Sequence, residues 1–353
     1  MVLRMSRLRD PEPAPVAADG ALNVGAAGTP PRPPSGLQAV VSVVLSRYAT
    51  VLLLALLVLA FSLASTRFLS RQNWQNLLVV QAVVSCTAFA AIVPLVVGEF
   101  DLSLGNMIGF LTMVGAFLGG AGFDARWVIP AMILGGGVAG LINGVLTVYF
   151  QISSFIATLG TGILLSGFTL GLSGGQVLFE GIPPTVLAIG QGHFLGLGIS
   201  VWLTFGIAVL LLYVLEHTPF GRKLYAIGGS ERVAFLAGIR TGALKIAAFA
   251  IAGLLVGIAA VFALGQNGAA NAGFGPDLLL PAYAAAFLGV TTYRPGYYNV
   301  PGAVIAILLM AVGFNGLNLL GAPFWVQPIF NGAVLVIAVI SARAESRHVK
   351  RGH

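Results

Sequence analysis

Apolar residues in this chain come in long blocks rather than in one-sided stripes. Ten stretches follow one another with little charge: 47–66, 77–97, 102–120, 127–150, 155–173, 196–215, 244–264, 279–291, 301–320 and 324–342. A helix rising 1.5 Å per residue needs roughly 20 apolar residues to cross a hydrocarbon layer. All but the short eighth stretch meet that length. The pattern predicts an all-α polytopic membrane protein of about ten transmembrane helices.

Two places interrupt the pattern. Thr291-Thr292-Tyr293-Arg294-Pro295-Gly296 follows the short eighth stretch, and its proline removes a backbone donor. Val97-Gly98-Glu99-Phe100-Asp101 is a comparable break between the second and third stretches. Irregular backbone at membrane depth survives only where protein or a watery cavity satisfies it. An internal repeat around these breaks and around Asn143-Gly144 and Asn315-Gly316 is weak, because the spacings disagree.

Residues 1–38 differ in composition. They hold seven prolines among Ala and Gly with no apolar period, which predicts a disordered tail. The domain plan is therefore tail 1–38, transmembrane body 39–342 with a large loop at 216–244, and a basic tail at 343–353. Charge adds the orientation. Arg4, Arg7, Arg9, Arg32, Arg47, Arg222, Lys223, Arg232, Arg240, Lys245, Arg294, Arg343, Arg347, Lys350 and Arg351 fall on one side of a ten-span chain. Only Arg67, Arg71 and Arg126 fall on the other. Lys and Arg gather on the cytoplasmic side, so both termini are expected inside. Membrane anchoring explains the net charge of +7 without nucleic acid as a partner. With 58% hydrophobic and 8% charged residues, a soluble domain is excluded and lipid is the expected surroundings.

Chemistry is sparse. No Gly-Lys dipeptide occurs, so no phosphate-cradling Walker loop exists. The four histidines lack metal-ligand spacing, and Cys86 has no cysteine partner. No enzyme activity, catalytic residue or metal is expected. Leu172-Ser173-Gly174-Gly175-Gln176 matches the ATPase signature by letter, but it ends an apolar stretch and reads as a glycine helix exit.

The loop at 216–244 has a clear local logic. Ser230 suits a helix N-cap and Glu231 its positive end. Val233, Ala234 and Ala237 form a small apolar face, and Gly238 can end the helix. This is a short amphipathic helix, too short to span.

These residues bring a family into view. Phe220-Gly221-Arg222, Ala226-Ile227-Gly228-Gly229, Val233-Ala234 and Gly238-Ile239 resemble the cytoplasmic loop of permease subunits of sugar-type ABC importers, the ribose, xylose and galactose group. Gly98-Glu99-Phe100-Asp101-Leu102-Ser103-Leu104-Gly105 is similar to a second motif of that family. Phe155-Ile156-Ala157-Thr158-Leu159-Gly160 and Asn315-Gly316-Leu317-Asn318-Leu319 extend the resemblance over about residues 45 to 342, in order.

The resemblance implies a half-transporter at the bacterial inner membrane, pairing with a second permease copy as homodimer or paralogous heterodimer. Separate ABC ATPase subunits would hold the ATP and Mg, leaving no cofactor on this chain, and an extracytoplasmic sugar-binding protein would deliver a monosaccharide. Gly228, Gly229, Ser230, Glu231, Arg232, Val233, Ala234, Gly238 and Ile239 would form the coupling helix that engages the ATPase. Arg232 stands where relatives often carry an acid, and Glu99 where Gly is usual. Residues 291–296 lack the ribose-type Gly-Gly-Thr-Ser pattern, which leaves other cargoes open: a branched-chain amino acid, a nucleoside, a polyol or a furanone signal. An ion-coupled secondary transporter is the reading from another class, since broken helices suit it too.

Polar residues in the stretches are candidates for the path. Glu99 and Asp101 cost on the order of 3 kcal/mol or more each in hydrocarbon, and function or capping can account for them. No His or Lys partner is expected for them within the stretches, which argues against a proton relay. Ser103, Asn143, Asn315 and Asn318 complete the candidate path. Asn143, Gln266, Asn267, Asn315, Asn318 and Asn331 can equally act as interhelical glue.

Overall fold

The computed structural model describes the backbone of residues 36–351 and the side chains of residues 50–340. The helical body is the compact unit that begins at Val44. The predicted Pro-rich tail lies outside the described residues, apart from its last three positions.

Thirteen helices and a two-stranded hairpin make up the described chain. They run α1 (Gly36–Ala64), α2 (Arg71–Val96), α3 (Leu104–Gly120), α4 (Ala125–Val148), α5 (Ser154–Ser173), α6 (Pro184–Gln191), β1 (His193–Phe194), β2 (Leu197–Gly198) and α7 (Ile199–His217). Then come α8 (Pro219–Gly229), α9 (Glu231–Leu236), α10 (Thr241–Asn267), α11 (Pro276–Gly289), α12 (Val300–Leu319) and α13 (Val326–Arg351). Every one of the ten apolar stretches falls on a helix. Among the described residues six helices are long and apolar enough to cross a membrane: α2, α4, α5, α7, α10 and α12. The apolar parts of α1, α3, α11 and α13 that lie among the described residues are shorter. The chain is a polytopic helical membrane protein.

α10 is the central post, packed on α4, α2, α6 and α3. Small residues allow this, as they do wherever helices associate without a hydrophobic force between them. A Cβ on Gly136 or Gly140 of α4 would strike the α10 backbone. α2 carries the largest buried block, Ala82 to Val97, whereas α5 and α7 leave Phe155, Ile163, Phe168, Phe205 and Leu210 uncovered. That is the surface expected of helices facing lipid or another membrane helix.

The eighth stretch differs from expectation. The turn at 290–299 follows α11, as the sequence indicated, but a second irregular segment precedes it at 268–275. This segment starts where Ala270 pairs with Leu178 and ends where Gly275, at φ +116°, lies against Gly105 of the first turn of α3. Only a short helix remains to α11, 14 residues or about 21 Å. The apolar run alone did not show that the chain reaches α3 before becoming helical.

The connections sort into two groups. Val97–Asp101, the α4–α5 link, the 216–240 region and the 290–299 turn meet one another at Lys245, Gly228 and Tyr225. The start of α2, the α5–α6 link, the hairpin and the α10–α11 segment meet elsewhere, through Gln75 to Gly196 and Leu178 to Ala270.

Candidate functional site

The loop at 216–244 folds as two helices joined at one extended residue. Thr218 caps α8 by accepting from the Gly221 amide at 3.2 Å, and Pro219 occupies the first helical position, where its missing N–H is harmless. Ser230, at φ −163°, ends α8 and caps α9, accepting from the Val233 amide at 3.4 Å. Gly238, at φ +80°, closes the segment. The capped helix expected from the sequence is thus present. Gly228 and Gly229, however, belong to α8, a helix that the local sequence pattern did not reveal.

The apolar face is also a correction. Ala234 is buried, but Val233, Phe235 and Leu236 are 64%, 66% and 77% exposed, and Ala237 is exposed too. In so short a helix one small side chain faces the body, and the larger apolar groups point away. Arg232 is exposed and Ile239 half-buried beside them.

α8 is tied to the body on two sides. A Cβ on Gly228 would collide with the Val96 carbonyl at the end of α2, so α8 and α2 touch backbone to backbone. Tyr225 donates to the Tyr298 carbonyl at 2.7 Å. Burial pushes its phenol up to about 12, against the pull of Arg294, so it remains a donor at physiological pH. The Arg294 guanidinium lies over the Tyr225 and Tyr297 rings at 5.2 and 4.7 Å.

The break between α2 and α3 satisfies every backbone donor it has. Pro94 already deprives α2 of one helical bond. The amides of Val97, Gly98 and Glu99 return to carbonyls of Pro94 and Leu95. Phe100 N–H then goes to Ser154 Oγ at 3.2 Å and Leu102 N–H to Thr158 Oγ1 at 2.9 Å, both on α5. The Asp101 N–H goes to the Tyr283 hydroxyl of α11 at 2.9 Å, which in turn donates to the Asp101 carbonyl at 3.0 Å. Ser103 N–H turns back to Asp101 Oδ1 at 3.0 Å. This is the condition under which non-helical backbone is tolerated in a membrane.

Asp101 itself is fully buried. Its Oδ1 accepts from the Ser103 amide and hydroxyl and from Asn143 Nδ2 at 3.4 Å. Asn143 also donates to Ser103 Oγ at 2.8 Å and accepts from Thr161 at 2.7 Å. Oδ1 thus turns back on Ser103, the residue before α3, while Oδ2 is buried without a hydrogen-bond partner among the described residues. Glu99 faces elsewhere. Its Oε1 lies 2.8 Å from Lys245 Nζ, which also meets Glu231 Oε2 at 2.6 Å. This corrects the expectation that no lysine partners the carboxylates: Lys245 sits in the first turns of α10 and reaches back.

Asp101, Ser103 and Asn143 therefore converge, Glu99 pairs with Lys245 instead, and Asn315 and Asn318 join neither group. Asn315 makes a reciprocal amide pair with Asn73 at 2.9 and 3.0 Å, near the start of α2, about 35 Å along that helix from the break. Asn318 is exposed. Gln266 donates to the Val79 carbonyl at 2.8 Å, a contact between α10 and α2. Tyr283, Thr158, Thr161 and Lys245 did not stand out in the sequence. Thr158 at least lies inside the family-like run at 155–160, whereas nothing local marks Tyr283. The Leu172–Gln176 run ends α5 at Gly174, in the left-handed region at φ +58°, as a glycine exit should.

The model of the family described as branched-chain amino acid transport system / permease component matches residues 73–339. The chain belongs to this family. The permease is 34% identical to the ribose import permease protein of Bacillus subtilis over 304 residues, covering 83% of this chain and 91% of that one. It is 28% identical to the L-arabinose ABC transporter permease protein of Azospirillum brasilense, covering 84% and 87%. Against the autoinducer 2 import system permease protein of Photorhabdus laumondii the figures are 30%, 85% and 92%. No solved structure matches. The resemblance drawn from residues 98–105 and 220–239 is thereby borne out. The permease is the membrane component of an ABC importer, not an enzyme, and it works with ATPase and binding-protein partners.

Proposed function

We propose that this permease moves a monosaccharide across the bacterial inner membrane by alternating access, driven by ATP hydrolysis on separate subunits. An extracytoplasmic binding protein loads it, and a second copy, identical or paralogous, completes the membrane core. In this reading the chain crosses ten times with both termini inside. The two groups of mutually touching connections support it, since they alternate as ten crossings require and the basic residues collect at one of them.

The observation that carries the proposal is the α8–α9 elbow. It is too short to span, lies at the basic end and turns Val233, Phe235 and Leu236 outward. A soluble partner's groove accounts for such an exposed apolar group. Gly228 to Ile239 is accordingly assigned as the ATPase-coupling segment. Asp101, Ser103 and Asn143 are assigned to hold the wall of the path rigid, with Glu99 at its cytoplasmic edge. The cargo class rests on relatives named for ribose and arabinose.

The test is reconstitution in nanodiscs, alone and then with ATPase subunits and binding protein loaded with candidate sugars. Stimulation of ATP hydrolysis by a loaded binding protein supports the importer and names its cargo. Stimulation by an amino acid, nucleoside or furanone form would replace the sugar and keep the machine. Uptake by the permease alone on an ion gradient would replace both.

A further inference from the structure

Two contacts join the coupling segment to the break between α2 and α3, and they differ in mechanical character. Gly228 abuts the Val96 carbonyl without a hydrogen bond. Such a contact transmits a push and opens under a pull. Three residues on, Glu231 binds Lys245, and Lys245 binds Glu99, only three positions beyond Val96. An ion-paired chain resists separation as well as approach. We propose that Lys245 is the tension-bearing link through which displacement of the α8–α9 segment pulls on Val97–Asp101. The proposal rests on the assignment of Gly228 to Ile239 as the coupling segment.

The burial of the three side chains sets the order in which the link works. Glu99 and Lys245 are only 16% and 11% exposed, so parting them would strand a desolvated charge. Glu231 is 51% exposed, and all three side chains line a polar cleft of about 360 Å³ together with Gln151, Ser153 and Gly242. Lys245 and Glu99 therefore move as one body, and Glu231 is the joint through which α9 draws them. Beyond Glu99 the pull meets the Phe100 and Asp101 amides, which are held by α5 and α11. A displacement of α9 is thus led to the place where three helices share hydrogen bonds. One ammonium would neutralise one partly buried carboxylate. It holds two, from the coupling segment and from the break, and the second is what compensation alone leaves unexplained.

The test reads motion of the break without knowing the cargo. Phe100, partly exposed, is replaced by Cys in a Cys86→Ala background, and a maleimide labels it in the complex with ATPase subunits, before and after trapping with ATP and vanadate. The rate is expected to change about fivefold or more on trapping, the low end of coupling between distant sites. Lys245→Met should reduce the change to under about twofold, and Lys245→Arg should keep it. Lys245→Met leaves Glu99 unpaired and can fail to reach the membrane, so Glu99→Gln/Lys245→Met, with the pair neutralised, decides the matter. Loss of the trapping response in that folded double variant supports the link. A full response there makes Lys245 a compensating charge only and overturns it, as does an absent response in the parent. Ala234→Glu, run alongside, separates the two ideas: if it leaves ATPase assembly and the response intact, the coupling assignment itself fails.

Discussion

Tyr283→Phe isolates the bracing of the break from everything else around it. The ring stays where it is, stacked on Phe100 at 6.1 Å and tilted against Phe287 at 6.1 Å, so apolar packing is unchanged. Only the hydroxyl goes, and with it the partner of the Asp101 N–H and of its carbonyl. A buried donor left unpaired costs about 1–3 kcal/mol. Taking about 2 kcal/mol, local opening of the Phe100–Ser103 segment should rise about thirty-fold, since about 1.4 kcal/mol is a factor of ten. Global unfolding should change much less, because local openings are separate events with their own free energies. Amide hydrogen exchange in nanodiscs reads this directly. Peptides covering 97–103 should exchange faster by that factor while the middle of α10 keeps its protection. Exchange at 97–103 within about threefold of the parent would refute the account, since the cost of the orphaned amide would then be absent.

Further outcomes are expected. Ala234→Glu forces a carboxylate into the one buried position of α9, and should weaken ATPase pull-down and uptake while membrane levels hold. Gly228→Val places a side chain against the Val96 carbonyl, and should lower ATP-coupled uptake at least about tenfold, read beside membrane levels. Asn315→Leu removes the amide pair with Asn73, and should cost about 0.6–2 kcal/mol in unfolding by denaturant while uptake per folded permease stays unchanged. A selective loss of uptake in Asn315→Leu would return that residue to the path.

What could be read from the chain itself was whatever depends on local sequence. Apolar blocks of bilayer length marked the helices, because a spanning segment must bond its backbone internally and cover itself with carbon. The run Val97-Gly98-Glu99-Phe100-Asp101 marked a break, and Ser230 marked a cap, because backbone preferences and short-range hydrogen bonds act within a few residues. Which polar residues meet was a different matter. Asn143 and Asn315 sit in the same dipeptide context, yet one braces Asp101 and the other pairs with Asn73. Lys245 looked like one more basic residue of a loop until α10 carried it between Glu99 and Glu231. The outward turn of Phe235 and Leu236, the descent of 268–275 to α3 and the use of Tyr283 as a backbone partner were likewise decided by packing. The physical reason is common to all of them. In a membrane each unpaired polar group must find a partner, and the nearest one in space is set by how helices far apart in sequence lie against one another.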